Sequence, residues 1–123
     1  MGCLTSVSSI EFYNQVIENR EKEKKMKTLD LIRKWADDRN LIEGATPQAQ
    51  MLKLTEEVGE LAHGVARGKD DEILDAIGDA VVVLTILAAQ YDMRIEDCID
   101  GAYEEIKDRT GKMVDGIFVK DEA

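Results

Sequence analysis

Apolar residues recur along this chain at helical rather than strand spacing. Leu29, Ile32, Trp35 and Ala36 stand at i, i+3, i+6 and i+7, the stripe of an amphipathic helix that ends near Asn40. Thr46 followed by Pro47 supplies an N-cap and first-turn pair for a second helix, although Ala49 leaves the cap without the reciprocal acid of a capping box. Its apolar stripe is Leu54, Val58, Leu61, Ala62 and Val65, and Gly68 is its stop. Asp70 or Asp71 caps a third helix that carries Ile73, Ile77, Ala80, Val81, Leu84 and Ala88 on one face. After Asp79 this helix turns apolar all round, through Val82, Val83, Ile86, Leu87 and Ala89, so it is expected to be central and covered by neighbours. A fourth helix is expected over about 95–110, with Ile99, Ala102, Tyr103 and Ile106 inward and Gly111 as its stop. The tail, 112–123, offers Ile117-Phe118-Val119 as an apolar anchor. Four helices with short links predict an all-α fold, a four-helix-type bundle.

Residues 1–26 differ in character. A Ser/Thr-rich start leads into the charge run Glu18-Asn19-Arg20-Glu21-Lys22-Glu23-Lys24-Lys25, which has little apolar surface to bury. This segment is expected to be an N-terminal extension, partly helical because Ile10, Tyr13, Val16 and Ile17 keep helical spacing, with Met26 a candidate start of its own. Residues 27–123 form the expected folded domain. The opening Met1-Gly2-Cys3-Leu4-Thr5-Ser6 formally fits an N-myristoylation pattern, but the pattern is short and permissive and no membrane association is expected from it.

Composition narrows the chemistry. The chain has 123 residues, 44% of them hydrophobic, enough for one domain and too few for two independent cores. One proline and 5% aromatic residues suit helices better than strands. With 26 acidic against 16 basic residues, the formal charge of -10 opposes binding to nucleic acid, and a phosphate-bearing substrate needs a cation as mediator. Cys3 and Cys98 belong to no Cys-x-x-Cys or zinc-type spacing, which suits reduced thiols and a cytoplasmic setting. The longest apolar run, 80–89, is too short to span a bilayer. So apolar a third helix in so small a domain points to a homodimer or homotetramer.

The candidate chemistry is a set of carboxylates. Glu56, Glu57 and Glu60 lie within little more than one turn of the second helix, with Glu57 bordering the apolar stripe. Glu72, Asp75 and Asp79 share one face of the third helix, and that face continues as Val83 and Ile86, so Asp79 stands where acid gives way to buried surface. If the two helices pack antiparallel across the Gly68-Lys69 link, both acidic faces converge. Crowded carboxylates at the edge of a low-dielectric region repel one another unless a cation neutralises them. Hard oxygen ligands suit Mg²⁺, or Mn²⁺, and such an ion supplies what phosphoanhydride hydrolysis needs. The plainer alternative is a solvated acidic face, favoured at Asp70, Asp71 and Glu72 by the helix dipole. Against it, Lys53 is the single basic partner within reach of Glu56, Glu57 and Glu60 before Arg67.

Lys53-Leu54-Thr55-Glu56-Glu57-Val58-Gly59-Glu60-Leu61 resembles the Glu-Glu-x-x-Glu segment of MazG-like nucleotide pyrophosphohydrolases, and Asp75-Ala76-Ile77-Gly78-Asp79 with the apolar run after it resembles their second acidic segment. The likeness extends over roughly 27–120, through Trp35-Ala36 to Ile106-Lys107-Asp108-Arg109-Thr110-Gly111-Lys112-Met113. It implies an oligomeric helical bundle, Mg²⁺-dependent cleavage of nucleoside triphosphates to monophosphate and pyrophosphate, Glu57, Glu60 and Asp79 as metal ligands, and Glu56 as ligand or orienter of the attacking water. The family's second segment is usually Glu-x-x-Asp, and Ala76 occupies the place of its first acid, so the remaining ligand is Asp75 or Glu72. Asp75, an i+4 partner of Asp79, is the favoured choice.

Other residues carry weaker readings. Glu60-Leu61-Ala62-His63 is a Glu-x-x-His, but di-iron bundles need a second copy and His63 is the sole histidine. Trp35 is expected in the core or stacked on a nucleobase. Lys53, Lys107, Arg109, Lys112 and Lys120 are candidate phosphate-binding cations. Rival functions are a phosphoribosyl-ATP or dUTP-type pyrophosphohydrolase sharing the same acids, and a non-catalytic helical interaction module.

Overall fold

The computed structural model describes residues 7–122. Cys3 and the Met1-to-Ser6 acylation pattern lie outside the described residues. The elements are α1 (Val7–Asp38), α2 (Pro47–Arg67), α3 (Asp70–Gln90), α4 (Ile95–Ile106), β1 (Gly111–Val114) and β2 (Ile117–Lys120). This is an all-α bundle with a small antiparallel ribbon at its end.

The α2–α3 pair is its centre. Thr46 accepts a hydrogen bond from the Ala49 amide at 3.1 Å, and Pro47 opens α2 with a preset φ. At the other end Gly68 takes φ 64°, a left-handed conformation that costs a residue without Cβ little. There the amides of Gly68 and Lys69 return to the carbonyls of Val65 and Gly64. The chain reverses within two residues, and Asp70, Asp71 and Glu72 meet the positive end of α3, whose N-cap is Lys69 rather than an aspartate. Gly64 lies at a close approach of the two helices: a Cβ there would stand 3.1 Å from Glu72 Cβ and 3.2 Å from Ile73 Cγ1.

The core gathers around α3. Ala76, Val83 and Ile86 are buried with Ala36 of α1 and Ile95 of α4, and buried Thr85 satisfies its hydroxyl on the Val81 carbonyl at 2.7 Å. The α1–α2 loop is pinned by Gln90, which donates to the Ala45 carbonyl at 3.0 Å. Arg33 ties α1 to the first turn of α4, donating to both Glu96 oxygens at 2.6 and 2.7 Å while also holding Asp30. Arg94 reaches the same Glu96 at 2.7 Å.

Several expectations are corrected. α1 begins at Val7, well before the Leu29 stripe, and α4 stops at Ile106 rather than near Thr110. Val58, Val65 and Ile77, assigned to buried stripes, are exposed, as are Ile99, Tyr103 and Ile106 of α4. The face of α2 turned to α3 is instead Leu54, Glu57, Leu61 and Gly64, about one helical step round from the apolar count. α3 is central, yet Val81 and Leu84 stay exposed, because α1, α2 and α4 of one chain do not encircle it. Ile117, Phe118 and Val119 are not an anchor: they form an exposed strand of the ribbon. Asp115 and Gly116, at φ 51° and 79°, make its two-residue turn, the Asp-Gly signature of a tight hairpin.

Arg33 is also what holds the Glu96 carboxyl down at about 2, against the opposing effect of burial. A carboxylate depressed on folding contributes fully above its ordinary value of 4.5 and loses that contribution as pH falls toward about 2. Glu96→Gln should therefore cost roughly 2 kcal/mol at neutral pH and flatten the acid-induced fall of the melting temperature. Thermal denaturation followed by circular dichroism between about pH 6 and pH 2 measures both, and parallel curves for the two proteins would refute the assignment.

Candidate metal and nucleotide site

The register of the α2–α3 hairpin decides which acids meet. From the close approach at Gly64 and Ile73, about two turns back along α2 lead to Glu57, and about two turns on along α3 lead to Asp79. Glu57 does not merely border the core-facing stripe but belongs to it, at 3% exposure. Its Oε1 lies 3.3 Å from the Lys53 ammonium, while its Oε2 is buried without a hydrogen-bond partner among the described residues. Lys53 also reaches Glu56 at 3.6 Å, and Glu56 itself is exposed.

The neighbouring acids feel one another. Glu60 is raised above the ordinary carboxylate range, first by the negative charge of Glu57, with Asp79 adding to the effect and Lys53 opposing it. Asp79 is raised first by burial and then by the charges of Asp75 and Glu57. Glu57, Glu60, Asp75 and Asp79 thus form one electrostatic unit in which Lys53 is the counter-charge.

Glu72 stands apart from it. Its Oε2 lies 2.8 Å from His63 Nδ1, and Arg67 Nε donates to His63 Nε2 at 2.6 Å. A guanidinium can only donate, so Nε2 accepts, and the ring proton sits on Nδ1 and is donated to Glu72. That bond holds the Glu72 carboxyl below its usual range. Sequence reasoning did not anticipate this Glu72–His63–Arg67 chain; His63 and Arg67 at i, i+4 beside a two-residue reversal were its visible signal.

Two hollows flank the acids. One, about 1060 Å³, runs between α1 and α3 past Leu29, Ile32, Leu74, Asp75, Asp79 and Val82. The other, about 590 Å³, lies between α2 and α3 and is lined by Glu56, Gly59, Glu60, His63, Glu72 and Asp75. Asp75 faces both. Trp35 lies elsewhere: it is 44% exposed, not core, with the Arg39 guanidinium 4.6 Å above its ring. Arg109, Lys112 and Lys120 are exposed in the C-terminal segment, whose ribbon packs against no helix, so the fold of one chain does not bring them to the acids. Cys98 is a free, exposed thiol on α4.

Residues 45–114 match the MazG nucleotide pyrophosphohydrolase domain. The chain belongs to the MazG family. The match covers α2, α3, α4 and β1, and so every acid of the electrostatic unit. A 59-residue stretch is also 59% identical to an uncharacterized 18.2 kDa protein from the rep-hol intergenic region of Haemophilus phage HP1. That stretch is 48% of this chain and 36% of the phage protein, so this chain matches little more than a third of that relative's length. No solved structure matches.

MazG proteins generally use a divalent metal. The residues present suit one: hard carboxylate oxygens on two facing helices, an excess of negative charge, and a buried Glu57 oxygen without a partner. Among the described residues no three carboxylate, histidine or cysteine side chains already converge closely enough to hold an ion. The acids are gathered within electrostatic range of one another.

A buried carboxylate with an unpartnered oxygen is a cost to the metal-free fold. Glu57→Leu, which continues the Leu54 and Leu61 stripe, should raise the melting temperature in the presence of a chelator, by roughly 1–3 kcal/mol of stability. Differential scanning calorimetry with EDTA measures it. A destabilised variant would show that Glu57 is a structural group.

Proposed function

We propose that this chain is a Mg²⁺-dependent nucleoside triphosphate pyrophosphohydrolase, cleaving between the α and β phosphates to give nucleoside monophosphate and pyrophosphate. The observation that carries this reading is the buried Glu57 oxygen without a partner, set among Glu60, Asp75 and Asp79 in the segment that matches the MazG domain. Glu57, Glu60, Asp75 and Asp79 would hold Mg²⁺, with Mn²⁺ able to substitute. When bound, such an ion supplies charge neutralisation on the phosphates and a water of lowered pKa.

The chain's own residues do the rest. Glu56, exposed beside the buried Glu57, would act as a further ligand or orient the attacking water and accept its proton. Lys53 holds Glu57 in position and leaves the hollow between α2 and α3 less negative toward an incoming triphosphate. Glu72 is not a ligand in this reading, because His63 and Lys69 already occupy it, at 2.8 and 4.0 Å. Residues 27–123 are the proposed catalytic unit, and the cytoplasm is the proposed setting.

A panel of ribo- and deoxynucleoside triphosphates, assayed for pyrophosphate release with and without Mg²⁺, tests the reaction and identifies the preferred base and sugar. Release of orthophosphate instead, or activity indifferent to chelator, would refute it. Glu57→Gln and Glu60→Gln should lower turnover by at least about 100-fold with helicity intact. Among the acids of α3, Asp79→Asn should be the most damaging, Asp75→Asn next and Glu72→Gln the mildest, read as turnover against Mg²⁺ concentration. An inactive Glu72→Gln beside an active Asp79→Asn would reverse the ligand assignment.

A further inference from the structure

The C-terminal ribbon is short of partners. β1 and β2 pair as an isolated two-stranded sheet in which every residue is exposed and neither strand packs on a helix, and a ribbon of this kind is marginal in water without a further layer. Its register pairs Met113 with Phe118 on one face and Val114 with Ile117 on the other, with Lys120 and Lys112 at the respective bases. Each face is therefore apolar toward the turn and cationic toward the base. Lys107, Arg109, Lys112 and Lys120 against Asp108 and Asp115 leave segment 107–120 with two surplus positive charges in a chain of net charge -10. Among the described residues Arg109, Lys112 and Lys120 form no ion pair.

The groove between α1 and α3 has the inverse pattern. Its floor is apolar, through Leu29, Ile32, Leu74 and Val82, and Asp75 and Asp79 stand along it. Leu74 is 77% exposed. The cation acting on Asp79 is Lys53, which is already engaged by Glu57 and Glu56. A second apolar hollow, around Leu84, Tyr91, Met93 and Ile99, has no acidic lining and so offers the ribbon lysines no partner.

We propose that the ribbon of a second copy of this chain lies in the α1–α3 groove, so that each nucleotide site is completed in trans. Met113 and Phe118 cover Leu29, Ile32 and Leu74, while Lys120, at the base of the same face, stands near Asp75 and Asp79, where it neutralises the phosphates of a bound triphosphate. Reciprocal exchange of the two ribbons closes a twofold dimer. The role given to Lys120 rests on the pyrophosphohydrolase reading above; the docking of the ribbon does not.

Glu57→Gln chains and Lys120→Glu chains, co-expressed with different tags and purified through both, isolate mixed dimers. Each variant alone should be inactive, whereas the mixed dimer should recover about half the wild-type specific activity, because one of its two sites combines intact acids with an intact ribbon. Mixed dimers as inactive as their parents, no recoverable mixed dimer, or full activity of the lysine variant alone would each overturn the proposal. Should Lys120→Glu lose helicity, Lys120→Gln takes its place. Docking is read separately by a bis-maleimide applied to a mixture of Leu74→Cys and Ile117→Cys chains in a Cys3→Ser/Cys98→Ser background. A cross-linked species of doubled mass is expected on a denaturing gel, and unlinked chains alone would refute docking. If cross-links form while the wild-type chain hydrolyses no nucleotide, the proposed activity fails and the docked ribbon stands.

Discussion

Between Arg67 and Asp70 the chain has two residues in which to reverse direction, and the left-handed conformation of Gly68 makes that possible. So short a link allows α2 and α3 almost no freedom to slide along one another. Their register follows from it, and the register brings Glu57 level with Asp79. The core is built on the same pair. Ala36 and Ile95, from the first and last helices, join Ala76, Val83 and Ile86 of α3, so the elements outside the hairpin attach to it rather than to each other. Ion pairs are the exception: Arg33 joins α1 to Glu96 of α4, and Asp30 of α1 lies 3.7 Å from Arg94 at the start of α4.

Two carboxylates of this molecule illustrate opposite uses of partial burial. Glu96 faces a bidentate guanidinium, and its acidity is strengthened to about 2. Asp79 faces other acids and a low-dielectric wall, and its acidity is weakened. The first arrangement stabilises the fold and is satisfied within the chain. The second sets Asp79 against Asp75 and Glu57, with Lys53 as the counter-charge. That contrast separates scaffold from site more sharply than the abundance of acids does.

Much of the fold was legible because its punctuation is chemical. Thr46-Pro47 and Gly68 bound α2 as read, and the acids of α3 fall on one face as counted. The reading failed where tertiary packing overrode periodicity. Val58 continues an apolar stripe in sequence, but the helix is rotated so that Glu57 takes the inward place and Val58 faces out. A count of apolar residues cannot foresee this, since it assigns every acid to solvent. The end of α4 and the ribbon were missed for a different reason: Asp115-Gly116 between short apolar runs is a hairpin signal, and reading Ile117-Phe118-Val119 for hydrophobicity alone hid its alternation. The i+4 spacing to Asp79 favoured Asp75 over Glu72 in the sequence, and the bond to His63 sets Glu72 apart from the other acids in the structure.

Gly64 gives the site a mechanical vulnerability. It touches no acid of the electrostatic unit, yet α2 and α3 meet across its missing side chain, with Glu72 Cβ and Ile73 Cγ1 at 3.1 and 3.2 Å from where a Cβ would stand. A methyl here would oblige those atoms to give by a few tenths of an ångström, on the same hairpin that carries Glu57 and Asp79 two turns away, so the missing side chain helps to set how closely the two acidic helices lie.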